Sequence, residues 1–139
     1  MLLQKQLTED DCYRTAIACL LNLAPEDVPH FYEDAPEGED RWGFAEAANQ
    51  ALFDWLTERG LVMVTVPLQA SSFEEFLEGA GKITNKALYY MASGRTAQKR
   101  NHVVICWGNE VVWNTGRGEI VEPLAEGVYL LEILTTPIN

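Results

Sequence analysis

Only three cysteines and two histidines occur among the 139 residues, and that scarcity excludes several kinds of protein at once. Three thiols cannot all pair, and no C-x-x-C spacing exists to hold a zinc ion or form a redox couple. A reducing, cytoplasmic setting fits this pattern best. Basic residues are few as well: 10 Lys and Arg stand against 21 Asp and Glu, for a net charge of −11. Such a charge repels phosphate backbones and anionic lipid heads, so neither direct nucleic-acid binding nor membrane binding is expected. No apolar run approaches the ~18 residues needed to span a bilayer. The start, MLLQKQLTEDD, has neither the basic nor the apolar stretch of a secretory leader.

What is present is the material of one globular domain over residues 1–139. Hydrophobic residues make up 47% of the chain, including four Trp, five Tyr and five Phe, enough to build a core and to leave the disordered class. The main local shift in composition is EDAPEGED at 33–40, with five acids, a Pro and a Gly. It reads as an exposed loop, either a solvated face or a docking point for a basic protein partner.

Around that loop the apolar pattern predicts helices first and strands later. Cys12, Tyr13, Ala16, Ile17, Cys19, Leu20 and Leu21 recur over more than one face of a helix spanning about 11–23, so this helix should be central and buried. Pro25 suits a first helical position in the short turn that follows, and Pro29 prevents its continuation. Phe44, Ala48, Ala51, Leu52, Trp55 and Leu56 define an amphipathic helix that Gly60 can end. LVMVTVPL at 61–68 reads as a strand, and Ser72 with Glu75 forms a capping box for a short helix. Four further strands are expected at 87–93, 102–107, 110–113 and 127–134, with Gly108 and Asn109 as a hairpin turn. The fold class is therefore α+β with an antiparallel sheet.

Cys12 falls in the first turn of the buried helix, where unpaired N–H groups and the helix dipole favour the thiolate, the reactive form. Asp10 and Asp11 oppose this unless they cap the helix and turn their charge away. Cys19 and Cys106 read as core. Of the two histidines, His30 lies in an acidic turn and suits a surface or packing role. His102 opens a strand after the polar SGRTAQKRN, where a base can meet both a thiol and solvent. Asn114 closes the next strand and can accept the imidazole N–H. A strict two-residue loop at 108 and 109 would pair residues whose numbers sum to 217 and turn His102 and Asn114 to opposite faces. A bulged or odd connection, with the sum 216, would set them opposite each other on one face. Gln6, six residues before Cys12, can fold back over the helix start as an oxyanion donor beside the Cys12 N–H.

The Gln before the Asp-Cys pair, the helix containing ACLL, and NHVVICWGNEVVWN resemble the papain-like cysteine peptidases. The bacteriocin-processing domains of peptide exporters and short phage or bacterial papain-like proteins are the most similar types. The resemblance implies a minimal papain-like fold, in which a helix carrying the Cys packs on an antiparallel sheet carrying His and Asn. It further implies Cys12 as nucleophile, His102 as base, Asn114 as its orienting residue and Gln6 in the oxyanion hole. Cleavage of a peptide or protein substrate would proceed through a thioester, with no metal or other cofactor. Tyr13 stands where the bacteriocin-processing type has Gly, and would alter the groove. Asn114 and Thr115 replace that type's Asp-Pro. Arg95, Lys99 and Arg100 precede His102, and Arg100 is the candidate substrate contact among them if the loop recruits acidic material; the alternative is a loop kept soluble by its charge. A different function class also fits the composition: a non-catalytic acidic binding or inhibitor protein, including a nucleic-acid mimic, on the same scaffold.

Overall fold

The protein is described here by a computed structural model covering residues 12–31, 40–116, 118–124 and 127–136, with side chains omitted for 40–45. Gln6, Asp10, Asp11 and the acidic stretch at 33–39 lie outside the described residues.

Helix α1 (Cys12–Leu21) is followed by a 3-10 turn (Pro25–Asp27) and helix α2 (Asp40–Glu58). Strand β1 (Val62–Gln69), helix α3 (Phe73–Thr84), and strands β2 (Tyr90–Arg95), β3 (Asn101–Trp107), β4 (Glu110–Asn114) and β5 (Val128–Thr135) complete the order. The five strands form one antiparallel sheet in the order β1-β5-β2-β3-β4. The α+β expectation holds at this level.

Local chemistry explains the ends of the elements. Asn22 adopts φ 57° after α1, and the Leu23 N–H reaches back to the Ala18 carbonyl, closing the helix in the left-handed manner that Asn tolerates. Gly60, at φ 72°, ends α2, with the Leu61 N–H returning to Leu56. The Ser72 hydroxyl accepts the Glu75 N–H at 3.1 Å, as its capping position requires. The reciprocal half of the box is shifted by one residue, because the Glu75 carboxylate accepts from the Ser71 N–H and hydroxyl. Strand β2 begins at Tyr90 and not at residue 87. Asn85 and Lys86 take positive φ angles of 50° and 55° in the turn after α3, which delays the extended run.

Alternation along the strands divides the core in two. Met91, Val103 and Ile105 pack with the buried side of α1 and with Leu52 and Leu56 of α2. Tyr90, Ala92, Val104 and Cys106 turn the other way and pack with Phe76 and Ala80 of α3 and with Tyr129 and Leu131. β2 and β3 are thus covered on both faces, and their apolar stretches, Tyr90 to Ala92 and Val103 to Trp107, run without polar alternation. Pro67 is accommodated because β1 is an edge strand, with a ladder on one side only.

Replacing the α3 cap should weaken the fold without touching the sheet. Ser72→Ala is expected to lower unfolding stability by about 1 kcal/mol, measured as a shift in the urea midpoint at constant slope.

Candidate active site

The hairpin between β3 and β4 decides whether the predicted pair can meet. Gly108 and Asn109 do form a two-residue turn, and Gly108 takes the positive φ of 62° that such a turn favours. Trp107 pairs with Glu110 and Cys106 with Val111, in the register that would separate His102 from Asn114. A bulge then intervenes: Ile105 pairs with Trp113 and Val104 with Asn114, leaving Val112 as the extra residue. The sum of paired numbers rises to 218, not 216, because β4 carries the added residue. Parity is restored all the same, and His102 and Asn114 share one face as diagonal neighbours.

Their side chains bond directly, with His102 Nε2 2.7 Å from Asn114 Oδ1. The direction of this bond follows from the other partners of the amide. Asn114 Nδ2 donates to the Gly118 carbonyl at 2.6 Å, and Oδ1 also accepts the Gly116 N–H at 3.1 Å in an Asx-type turn. Those two contacts fix which end of the amide is oxygen, so Nε2 must carry the proton that it donates. In the neutral ring, Nδ1 then holds the basic lone pair. His102 is 4% exposed and so sits in a largely closed setting.

Cys12 reaches the opening end of the same strand. Its Sγ lies 3.9 Å from the carbonyl oxygen of Asn101, the residue before His102. Backbone geometry then puts the sulfur within about 7 Å of the His102 Cα. α1 packs on β3 over Val103 and Ile105, whereas His102 alternates with Val104 and Cys106. A thiol–imidazole contact would therefore have to run around the end of the strand, not through the face that α1 covers. The three thiols differ in access: Cys12 keeps 9% exposure, and Cys19 and Cys106 have none. Burial pushes the Cys106 thiol up to about 12, against a hydrogen bond with Tyr90 that acts in the opposite direction.

Comparisons with known protein families, with curated proteins and with solved structures found no match to this chain.

Of the other expected residues, Tyr13 and Arg100 are among those described. Tyr13, expected beside a groove, directs its hydroxyl onto the Glu132 carboxylate at 3.0 Å, so it serves as a packing anchor of α1. Arg100 is exposed in the turn before β3. Nearby, Lys99 pairs with Glu122 at 2.6 Å, and Arg95 Nε donates to the Asn101 side chain at 3.4 Å. Gln6 lies outside the described residues. Among the described residues, no group of three or more His, Cys, Asp and Glu side chains is placed to hold a metal ion. No described helix is long and apolar enough to cross a membrane.

Two residues near the site escaped the sequence reading. Gly94 lies directly opposite His102 in the β2–β3 ladder. The chain after β4 comes back over it, and residue 122 bridges to Arg95. A Cβ at Gly94 would stand 2.5 Å from Ile120 Cγ2 and 2.9 Å from the Glu122 carbonyl oxygen. The bare glycine thus lets the returning segment lie close above the end of β2. Glu132 is the second residue, a 7% exposed acid in mid-β5. Its signal was an acid set within the apolar YLLEIL. Burial raises its carboxyl above the ordinary range, and hydrogen bonds from Tyr13 and Thr65 bring it part of the way back.

Gly94→Ala is expected to cost about 1–3 kcal/mol, read from urea unfolding, because a backbone carbonyl cannot swing aside as a side-chain tip can. Glu132 sets a pH dependence with a defined sign. Its raised value means that the folded state keeps a proton that the unfolded chain has already released. Stability is therefore lost as pH rises from the ordinary carboxylate value, about 4.3, through the raised one. Glu132→Gln should gain stability relative to the wild type across that interval, with the smallest difference at its acid end, measured by urea midpoints from pH 4 to 8.

Proposed function

We propose that this protein is a papain-like cysteine hydrolase that cleaves an amide, peptide or isopeptide bond of a peptide or protein substrate through a thioester acyl-enzyme. The observation that carries the reading is the 2.7 Å bond from His102 to an Asn114 amide whose orientation is fixed by two further hydrogen bonds. The other ring nitrogen, Nδ1, is then the basic one, and the Cys12 sulfur arrives at the opening end of the same strand.

In this mechanism the Cys12 thiol gives its proton to His102 Nδ1, and the thiolate attacks the carbonyl carbon of the scissile bond. The oxygen becomes an anion, received by the Cys12 N–H and, following the family resemblance, the Gln6 side chain. Collapse of the tetrahedral intermediate breaks the C–N bond, and the leaving amine takes the proton from His102 Nδ1. Water then attacks the thioester, again losing its proton to His102, and the acid departs as the thiol is restored. Asn114 holds the Nε2–H throughout, so the ring presents the same nitrogen in both half-reactions. An amine in place of water would turn the second half into acyl transfer on the same residues.

The test is thiol reactivity. With iodoacetamide at pH 6, followed by peptide mass spectrometry, Cys12 should label at least about tenfold faster than Cys19 or Cys106. His102→Ala should remove that excess, and Asn114→Ala should reduce it. Equal, slow labelling at all three positions would sink the hydrolase reading. Incubation with a peptide-ester library should, in turn, leave an acyl mass on Cys12 and none on the other two cysteines.

A further inference from the structure

Glu132 has no part in the proposed reaction, yet it is a buried carboxylate whose described hydrogen bonds join three separate elements. It stands opposite Thr65 of β1 and Met91 of β2 in the ladders of the sheet. Its Oε2 accepts the Thr65 hydroxyl at 3.1 Å and the Tyr13 hydroxyl at 3.0 Å. Met63 Sδ lies 3.1 Å from the same phenol oxygen. Tyr13 has one hydroxyl proton, and a carboxylate is a far stronger acceptor than a thioether, so the proton goes to Glu132.

This arrangement has an evident cost. A carboxyl surrounded by apolar neighbours is desolvated, and a sheet needs none at this position. The side chain it holds belongs to the residue immediately after Cys12, in the first turn of α1. We propose that Glu132 is a positioning residue for the Cys12 thiol: through Tyr13 it ties the first turn of α1 to strands β1 and β5, fixing where the sulfur meets the end of β3. The consequence for reactivity rests on the cysteine-hydrolase reading; the anchoring of the helix does not.

The two parts are tested together with readouts that fail separately. Hydrogen exchange of the backbone amides at 16–20 reports the anchoring of α1, and exchange at 103–106 in β3 serves as the reference. Tyr13→Phe removes only the hydroxyl, Glu132→Ala removes the acceptor, and Glu132→Gln keeps a side-chain oxygen in place. Tyr13→Phe and Glu132→Ala should raise exchange at 16–20 by about tenfold while β3 is unchanged, and should slow Cys12 alkylation at pH 6 by a similar factor. Glu132→Gln should stay near wild type in both. If Glu132→Ala does not fold, Tyr13→Phe and Glu132→Gln carry the test. Folded Tyr13→Phe protein with wild-type exchange at 16–20, or with exchange raised equally in β3, would overturn the proposal. Should the wild-type Cys12 label as slowly as Cys19 while Tyr13→Phe still loosens α1, the anchor stands and the hydrolase reading falls.

Discussion

One extra residue in β4 governs the chemistry available to this fold. Without the bulge at Val112, the tight turn at Gly108 and Asn109 would impose a single register along the whole hairpin. The imidazole of His102 and the amide of Asn114 would then lie on opposite sides of the sheet. With it, the hairpin keeps a two-residue turn at its tip and a shifted register at its base, and the two polar groups meet at 2.7 Å. The rest of the site is arranged around that meeting. Gly116 and Gly118 fix the amide, and the segment that continues from them lies across the bare backbone of Gly94.

The sheet separates two tasks. One face receives α1 and α2 and brings the sulfur to the end of β3; the other receives α3 and the chain that returns after β4. Because β2 and β3 are buried on both sides, neither helix layer can shift without repacking the strands between them. The thiol and the imidazole are thus held by different layers. Their relation depends on the strand end that both approach, and the Tyr13–Glu132 contact acts on one side of that relation only.

Much of this was legible in the residues because it depends on local rules. The 3.6-residue period of α1 and α2, the Ser72 cap, the glycine after α2 and the turn at Gly108 each follow from a few neighbouring side chains. The association of His102 with Asn114 was legible too, with the condition that their connection be bulged or odd in length. Which strand would take the extra residue was not, since a bulge in either strand restores the same parity. The insertion of β5 between β1 and β2 depends on pairing across some 65 residues of chain, and no local pattern announces it. Nothing near Gly94 in the sequence announces the segment that lies above it, because Ile120 and Glu122 reach it only through the tertiary fold. The groove expectation for Tyr13 follows from its place after Cys12, whereas its acceptor, Glu132, lies 119 positions away in the chain, beyond any local pattern.

The placement of the three thiols also governs how the protein meets oxidants. Cys12 and Cys19 sit two helical turns apart, about 10 Å along the axis, beyond the reach of a disulfide. Cys106 lies on the far side of the sheet, fully buried and held protonated. An oxidised Cys12 therefore has no resolving thiol within its own chain. Sulfenic acid formed there returns to thiol only through a small-molecule or partner thiol, and otherwise proceeds to the irreversible acids. The fold that isolates one sulfur at a strand end also leaves its repair to the surroundings.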